Sequence, residues 1–309
     1  MGYEFQQVSA CDMCGSTEFR TLGLRLDSSQ GLNPRRAGRI GIPIKQCQCG
    51  LIFADPTPIP NSISDHYGIP PEDYWVPSHF VVPPDYFADE IATAKRLLNF
   101  TSGMTALDIG VGVGRITTAL TRAGFDTWGI EPSAPFRDKA ISVLGIDEDR
   151  IRHSAMEETL FPEASFDLIT FGAVLEHLHS PNKALERALR WLKPNGIIHA
   201  EVPSSRWLIS TLVNSYYRMR GTDFVTNLSP MHAPFHLYEF SLEAFERNGR
   251  RLGYAVADHK FMVCEVYHVP KLLHPVMRWL MNHSDRGMQL TVYLKARSDH
   301  DCEALQELN

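Results

Sequence analysis

Short apolar runs alternate with amphipathic segments through the middle of the chain. The runs TALDIG, DTWGIEPS, FDLITFGAV and GIIHAEVPS are predicted to be strands, and RITTALTRAGF, APFRDKAISVLG and PNKALERALRWLKPNG have the spacing of helices. Continuous apolar strands of this kind are typical of parallel sheets, which are buried on both faces. Strands that alternate with helices indicate βαβ units. The pattern therefore predicts an α/β fold with a doubly wound, mostly parallel sheet.

Other regions flank or interrupt this alternation. Residues 1–55 hold four of the six cysteines, and residues 56–85 are a proline-rich linker. Residues 86–300 are predicted to be one domain, interrupted at about 205–240 by an irregular insert rich in His, Tyr and Pro. Beyond the insert, SLEAFERNGRRLGY is predicted to be a helix, and KFMVCEVYHV and MQLTVYLKAR are predicted to be two closing strands.

The charge and hydropathy of the chain limit its partners. The net charge of -6 and the pI of about 6.1 argue against a nucleic-acid partner, because such proteins usually carry a basic face. No apolar run approaches the ~20 residues that span a bilayer. No basic region followed by an apolar stretch marks a secretory signal. We therefore expect a cytoplasmic protein without a membrane partner.

Two closely spaced cysteine pairs mark the N-terminal segment. They are Cys11-x-x-Cys14 and Cys47-x-Cys49, and a glycine follows each pair. In a reducing compartment such a cluster indicates metal ligands more readily than disulfides. Four thiolates suit a tetrahedral structural zinc, which would order a zinc-ribbon-like segment too small to form its own core. The alternative that stays open is four reduced cysteines without a metal.

Three glycines follow the first buried strand at alternate positions, Gly110, Gly112 and Gly114. Glycines between a strand and a helix allow backbone N–H groups to approach an anionic or polar ligand. An acid about 20 residues further on, here Glu131 at the end of the next strand, can bind ribose hydroxyls. A nucleotide or nucleoside ligand is therefore expected at this loop. The alternative is a purely structural turn beside a solvated carboxylate.

The buried acid before the glycines narrows the choice of ligand. Asp108 ends the first strand, and a buried carboxylate is costly unless it has a partner, such as loop amides or a ligand ammonium group. A nicotinamide cofactor is disfavoured because its fingerprint needs a third glycine where this chain has Arg115. A ligand with an amino-acid end and a nucleoside end fits Asp108 and Glu131 together. S-adenosylmethionine is such a ligand.

At this point the sequence resembles a known family. LDIGVGVG, GIEPS, FPEASFDLITFGAVLEHLHSPNKALERALRWLKPNGIIHAEVPS and HAPFHLYEFSLEAF occur in the order found in class I S-adenosylmethionine-dependent methyltransferases. The resemblance extends to a bacterial subgroup with an N-terminal zinc-binding segment. It implies a Rossmann-like sheet of seven strands with the last one antiparallel. It also implies that Asp108 and the three glycines form the cofactor loop and that Glu131 binds the ribose.

The chain departs from the family at two places. In HSAMEETLFP, many relatives have an aspartate that accepts from the adenine amino group, so adenine contact is assigned here to Ala155 and Met156. Met156 has the alternative of being an ordinary core side chain. The second cysteine pair has one intervening residue, Gln48, where relatives usually have two.

Histidines near the end of the sheet are the candidates for acceptor chemistry. The segment VLEHLHSP places Glu176 and His177 after the fourth strand, either in chemistry or in capping the next helix. The insert, expected to lie over the cofactor, carries SPMHAPFHLYEFS. His236 and His232 are its candidate general bases, with His177 next, and the alternative is that these histidines attach the insert to the core. Tyr74, Trp75 and Tyr217 are candidate acceptor-lining aromatics.

Together these features predict S-adenosylmethionine-dependent methyl transfer to a small-molecule acceptor, a natural product or an activated sugar, with oxygen as the favoured atom. The alternatives come from other classes. They are an RNA methyltransferase or nucleic-acid-binding zinc protein, a nicotinamide-dependent oxidoreductase, and a binding protein without catalysis. The identity of the acceptor stays open.

Overall fold

The fold is described by a computed structural model that covers residues 2–61, 70–74 and 77–297. Trp75 and the side chain of Tyr74, two of the predicted acceptor-lining groups, lie outside the described residues. The strands are β1 (Tyr3–Gln6), β2 (Phe19–Leu26), β3 (Gly41–Cys47), β4 (Ile52–Ala54), β5 (Thr57–Pro60), β6 (Thr105–Ile109), β7 (Asp126–Ile130), β8 (Ile151–Arg152), β9 (Phe166–Gly172), β10 (Leu192–Pro203), β11 (Tyr238–Glu239), β12 (Tyr254–Met262) and β13 (Gln289–Ala296). The α-helices are α1 (Pro71–Tyr74), α2 (Ala88–Leu98), α3 (Arg115–Arg122), α4 (Ala134–Leu144), α5 (Pro181–Trp191), α6 (Leu208–Met219), α7 (Leu242–Leu252) and α8 (His274–Asn282).

The central sheet has seven strands in the order β12-β13-β10-β9-β6-β7-β8. The ladders that join β10, β9, β6, β7 and β8 are parallel. The last strand, β13, is antiparallel to both of its neighbours. The predicted seven-stranded, mostly parallel sheet with an antiparallel last strand is confirmed.

Helices cover both faces of this sheet. On β6, Ala106 packs with α2 and α3, whereas its neighbour Leu107 packs with α5 and α7. The same division separates Leu168 from Ile169 on β9. Because successive side chains of a strand point to opposite faces, both faces are buried, and the strand sequences are therefore almost continuously apolar.

The N-terminal residues form a second, four-stranded sheet in the order β11-β4-β3-β2. Its edge strand β11 belongs to the insert of the large domain and pairs antiparallel with β4, Tyr238 opposite Phe53. Phe53 and Cys49 also belong to the same apolar core as Leu107. The predicted boundaries at residues 55 and 85 stay predictions, but the cysteine-bearing residues and the central sheet share one core.

Hydrogen bonds attach the turn between Cys11 and Cys14 to two helices that pack on the central sheet. The carboxylate of Asp12 accepts from the Ser180 hydroxyl and from the Asn182 N–H, both at 2.7 Å, at the start of α5. The Met13 carbonyl accepts from Asn248 Nδ2 on α7 at 2.9 Å. Asp12 thereby satisfies a backbone donor at the partly buried N-terminus of a helix, where a negative charge is also favourable.

The predicted irregular insert contains a helix, so that prediction was wrong for about a third of its length. Ile209, Val213 and Tyr217 occur four residues apart on α6 and are buried against Leu26 and Met281. This spacing places them on one helical face. Tyr217, predicted to line the acceptor site, is instead part of this cluster, and its hydroxyl donates to the Gly31 carbonyl.

The first closing strand was predicted at 260–269, yet β12 runs from Tyr254 to Met262. Gly253 ends α7 with a φ of 82°, and the chain enters the strand at the next residue. The apolar residues Val263, Val266 and Val269 pack against the α6 cluster and not in the sheet. The helix α8, which the sequence pattern missed, follows them. Within the described residues, no helix is both long enough and apolar enough to cross a membrane.

Replacing Asp12 with alanine is expected to lower the free energy of unfolding by about 1–2 kcal/mol, because the Ser180 hydroxyl and the Asn182 N–H at the start of α5 lose their acceptor. Urea denaturation followed by tryptophan fluorescence measures the change. Asp138→Ala, which removes a side chain 73% exposed on α4, is the control and should change stability by less than about 0.5 kcal/mol. Equal effects of the two substitutions would contradict this assignment.

Candidate functional site

The glycine loop joins β6 to α3, and glycine is needed at its positions for different structural reasons. Gly110 and Gly112 have φ values of 74° and 56°, which L side chains rarely adopt. A Cβ at Gly110 would lie 2.6 Å from Val174 Cγ2, so the protein itself fills that space. A Cβ at Gly112 would meet only the Gly110 carbonyl oxygen, at 4.0 Å. Gly112 is therefore the glycine whose open side leaves room for a ligand.

Glu131 follows β7 and bonds to the glycine loop. Its Oε2 accepts from the Gly112 N–H at 2.7 Å, and its Oε1 accepts from the Ser133 N–H at 2.8 Å. Burial raises the pKa of the Glu131 carboxyl to about 7, although both N–H bonds favour the ionised form. The predicted pairing of the glycine loop with an acid on the next strand is thus present in the structure.

Asp108 is buried in the sheet, and its partners are hydroxyl groups. Oδ2 accepts from Thr117 Oγ1 of α3 at 2.7 Å, and Oδ1 accepts from Thr170 Oγ1 of β9 at 2.9 Å. Burial raises the pKa of Asp108 to about 6. The sequence reasoning, which considered loop amides and a ligand ammonium group, missed both threonines. In this structure Asp108 joins α3 and β9 to β6; a role toward a ligand stays a prediction.

The residues assigned to adenine lie after β8. Met156 is 4% exposed and belongs to the main apolar core, while Ala155 is half-buried. The Met156 carbonyl accepts from Arg187 Nη1 at 3.2 Å, and the Ala155 carbonyl accepts from Thr159 Oγ1 at 2.9 Å. Met156 therefore packs as a core side chain here. Contact of either residue with adenine stays a prediction.

Arg115, which stands where a dinucleotide fingerprint needs glycine, begins α3. Its guanidinium lies over the Tyr86 ring, 3.9 Å from the centroid, in a cation–π contact. A side chain of this size at the start of the helix is incompatible with the close helix–strand packing for which the third glycine serves. The exclusion of a nicotinamide cofactor stays a prediction.

A short helical turn after β9, Leu175–His177, brings the candidate acceptor residues together. The Glu176 carbonyl accepts from the Leu237 N–H at 2.8 Å, which holds the insert at the carboxyl end of β9. Glu176 Oε1 lies 3.9 Å from His236 Nε2, and the rings of His177 and His236 have centroids 5.1 Å apart. Val174, two residues before Glu176, is the residue that contacts Gly110. This histidine–glutamate cluster therefore lies one short turn from the glycine loop.

Burial controls the charge of this cluster. It raises the pKa of Glu176 to about 8, with a further contribution from the carboxylate of Glu201, a β10 residue that the sequence reasoning missed. Burial and the neighbouring His177 and His232 lower the pKa of His236 to about 3. The His236 imidazole is accordingly neutral at neutral pH, the form that can accept a proton or bind a metal ion.

His232, the other candidate base in the insert, is held by the N-terminal segment. Its Nε2 lies 3.1 Å from Arg25 Nη2, and its Nδ1 lies 2.9 Å from the Ala233 carbonyl. Because arginine only donates and a carbonyl only accepts, we assign the proton to Nδ1 and the accepting lone pair to Nε2. Arg25 also donates to the Leu228 carbonyl at 2.7 Å. This geometry matches attachment of the insert to β2.

The four N-terminal cysteines converge, with their sulfur atoms within 4.8 Å of one another. Cys11 Sγ lies 3.6 Å from Cys49 Sγ, and Cys14 Sγ lies 3.4 Å from Cys47 Sγ. Zinc–sulfur bonds of about 2.3 Å in a tetrahedral site separate the sulfur atoms by about 3.8 Å. The donor set therefore fits one zinc ion, and the single residue Gln48 in the second pair does not prevent this.

Comparison with known proteins agrees with the geometry. A family model described as a methyltransferase domain matches residues 85–259, more than half of the chain. The chain therefore belongs to this family, and the resemblance to class I S-adenosylmethionine-dependent methyltransferases is confirmed.

Two curated relatives carry the name ubiquinone biosynthesis O-methyltransferase. The protein of Rhodopseudomonas palustris strain HaA2 is 29% identical over 165 residues, which are 50% of this chain and 64% of the relative. The protein of Bradyrhizobium diazoefficiens is 31% identical over 116 residues, 36% of this chain and 45% of the relative. The match thus spans less than two thirds of the length of either relative.

Solved structures with similar coordinates include an S-adenosylmethionine-dependent methyltransferase from Mesorhizobium loti. It has a TM-score of 0.48 and 13% identity, covering 69% of this chain and 97% of that one. A second, from Archaeoglobus fulgidus, has a TM-score of 0.47 and 17% identity, covering 71% of this chain and 96% of that one.

The two glycines of the loop are expected to respond differently to alanine. Gly112→Ala should cost about 1–2 kcal/mol of unfolding free energy through its left-handed backbone alone. Gly110→Ala adds a clash with Val174 and should cost about 2–4 kcal/mol. Urea denaturation of both variants measures the difference, and a Gly112 variant at least as damaging as the Gly110 variant would contradict the open side of Gly112.

Proposed function

We propose that this chain transfers the methyl group of S-adenosylmethionine to an oxygen atom of a small-molecule acceptor. The observation that carries the proposal is the open side of Gly112 next to the Glu131 carboxylate, in a chain of the methyltransferase-domain family. When bound, S-adenosylmethionine supplies an electrophilic methyl group. The residues of this chain have to bind it and present an acceptor.

Several residues would hold the cofactor. The Glu131 carboxylate would accept bonds from the ribose hydroxyls, since each of its oxygens has a lone pair beyond the one that its N–H partner occupies. Gly112 would let the backbone approach the cofactor, whereas Gly110 and Gly114 would hold the left-handed turns of the loop. Asp108 would position the loop through its bond with Thr117. Ala155 and Met156 are the residues proposed to contact adenine.

A small acceptor is supported by two independent features. The two relatives named ubiquinone biosynthesis O-methyltransferase match 50% and 36% of this chain, and their name places their methylation on oxygen of a small molecule. The net charge of -6 gives no support to an RNA acceptor. A natural product or an activated sugar remains our expectation for the acceptor, in a cytoplasmic enzyme.

His236 is the residue we propose to take the proton from the acceptor hydroxyl. Its ring is neutral, lies beside the buried Glu176 and His177, and is held in place through Leu237. His232 would support the insert through Arg25, and His177 is the remaining alternative base. A positioned general base contributes roughly 10²–10⁴-fold to a rate, so loss of the ring should be visible in turnover and not in cofactor affinity.

Cofactor binding is the direct test. We expect calorimetry to show binding of S-adenosylmethionine and none of NAD. Because ribose hydroxyls donate to the ionised carboxylate and the pKa of Glu131 is raised to about 7, protonation should weaken binding as the pH falls. The Kd should rise about tenfold from pH 8 to pH 6.

Glu131→Gln should weaken binding at pH 8 and remove this pH dependence. Glu148→Gln, at a carboxylate whose side chain is 72% exposed, is the control and should behave as the parent. Unchanged affinity in Glu131→Gln, or tight NAD binding, would refute the proposal.

The zinc ion is proposed to be structural, because its four ligands would be cysteine thiolates that leave no open position. Elemental analysis of protein purified without chelators should give about one zinc per chain. Cys14→Ser should lose the zinc and loosen the N-terminal segment, while S-adenosylmethionine binding by the central sheet survives. Cys264→Ser, at an exposed cysteine outside the cluster, should keep its zinc. A metal-free parent protein with a fully folded N-terminal segment would contradict the site.

A further inference from the structure

A second group of metal-ligand type lies at the acceptor side of the sheet. One donor atom each from Glu176, His177 and His236 falls within 4.8 Å of the other two. Glu176 and His177 are adjacent on the turn after β9, and His236 belongs to the insert. Two imidazoles and one carboxylate with further positions left open are a known ligand set for divalent first-row metals.

Glu176 gives an independent reason to expect a ligand. The residue is 1% exposed, and its Oε2 has no hydrogen-bond partner among the described residues. Buried carboxyl oxygens are normally satisfied, and one without a partner needs a specific explanation. Its other oxygen faces His236 Nε2 at 3.9 Å, beyond hydrogen-bond distance. A cation between the two groups would satisfy both.

The orientation of His177 also suits metal binding. Its Nδ1 lies 3.3 Å from the Phe235 carbonyl oxygen. Since a carbonyl accepts, we assign the proton to Nδ1 and the lone pair to Nε2. A histidine that binds a metal usually donates its other ring N–H to a carbonyl or a carboxylate in this way. Both Phe235 and His236 belong to the insert, so one short segment would supply a ligand and orient another.

We propose that Glu176, His177 and His236 bind one divalent transition-metal cation. Ligands about 2.1 Å from a tetrahedral ion lie about 3.4 Å apart, so the three side chains would draw together by up to about 1.4 Å on binding. The site differs from the cysteine site in position and in ligand chemistry. Its two imidazoles and one carboxylate leave coordination positions open, whereas four thiolates fill a tetrahedral site.

The chemical role rests on the proposed function and changes how His236 acts in it. An acceptor hydroxyl bound to the cation loses its proton to solvent more readily, because the cation stabilises the oxyanion. The oxygen then forms a bond to the methyl carbon while the sulfonium–methyl bond breaks and its electron pair stays on sulfur. An oxyanion and a sulfonium become an ether and a thioether, so charge and atoms balance. His236 would then act as a ligand of the cation and would not take the proton from the acceptor hydroxyl.

Cobalt(II) chloride added to the full chain, with its zinc retained, tests the site. Co²⁺ binds nitrogen and oxygen ligands more tightly than Mn²⁺ does. Its visible absorption also reports its ligands. We expect calorimetry to show one Co²⁺ per chain, in addition to the zinc counted by elemental analysis. Glu176→Gln and His236→Gln should each weaken Co²⁺ binding at least tenfold, with the zinc content unchanged.

The matched control is His232→Gln, in the same loop, which should keep the parent affinity for Co²⁺. Glu176→Gln should also fold, because the amide has nearly the shape of the carboxyl and brings no buried charge. No Co²⁺ binding by the parent, or equal binding by Glu176→Gln, would overturn the proposal and leave His236 as the base. S-adenosylmethionine binding, measured separately, decides the proposed function whichever result is obtained.

Discussion

The direction of the parallel strands is the constraint on which the site depends. β6, β7 and β9 run the same way, so their carboxyl ends meet at one edge of the sheet. The glycine loop, Glu131 and the turn with Glu176 each follow one of these ends. Their side chains are buried because helices cover both faces, and burial in turn raises the pKa of both carboxyls. The same fold that brings these residues to one edge therefore also sets the pKa values of Glu131 and Glu176.

The insert completes the edge from the other side. Leu237 bonds to Glu176, while the following strand β11 extends the N-terminal sheet. His232 reaches Arg25 on β2, so the insert is held by the small sheet and by the large one. A segment held at both ends can keep His236 beside Glu176 with little loss of entropy when an acceptor binds. The cysteine-bearing segment thus contributes to the geometry of the site through the insert.

The parts of this arrangement that the sequence predicted are local. A βαβ unit sets the distance between Gly112 and Glu131, so the spacing along the chain carried the information. The partners of Asp108 are threonines of α3 and β9, and nothing in the sequence distinguishes them from other threonines. The helix α6 was missed because its apolar face packs on Leu26, a residue nearly two hundred positions earlier. The contact of His232 with Arg25 likewise joins residues 207 positions apart, so no local sequence pattern predicts it.

The attachment of Asp12, Met13 and Cys49 has a consequence for how the chain reaches its native state. Their partners Ser180, Asn248 and Ser241 follow 168, 235 and 192 residues later. Contacts at such separations close large loops and slow folding. During synthesis, the N-terminal apolar residues that pack against α7 must wait until nearly the whole large domain has left the ribosome. A metal ion bound by the four cysteines would order this segment earlier, because all four ligands lie within residues 11–49.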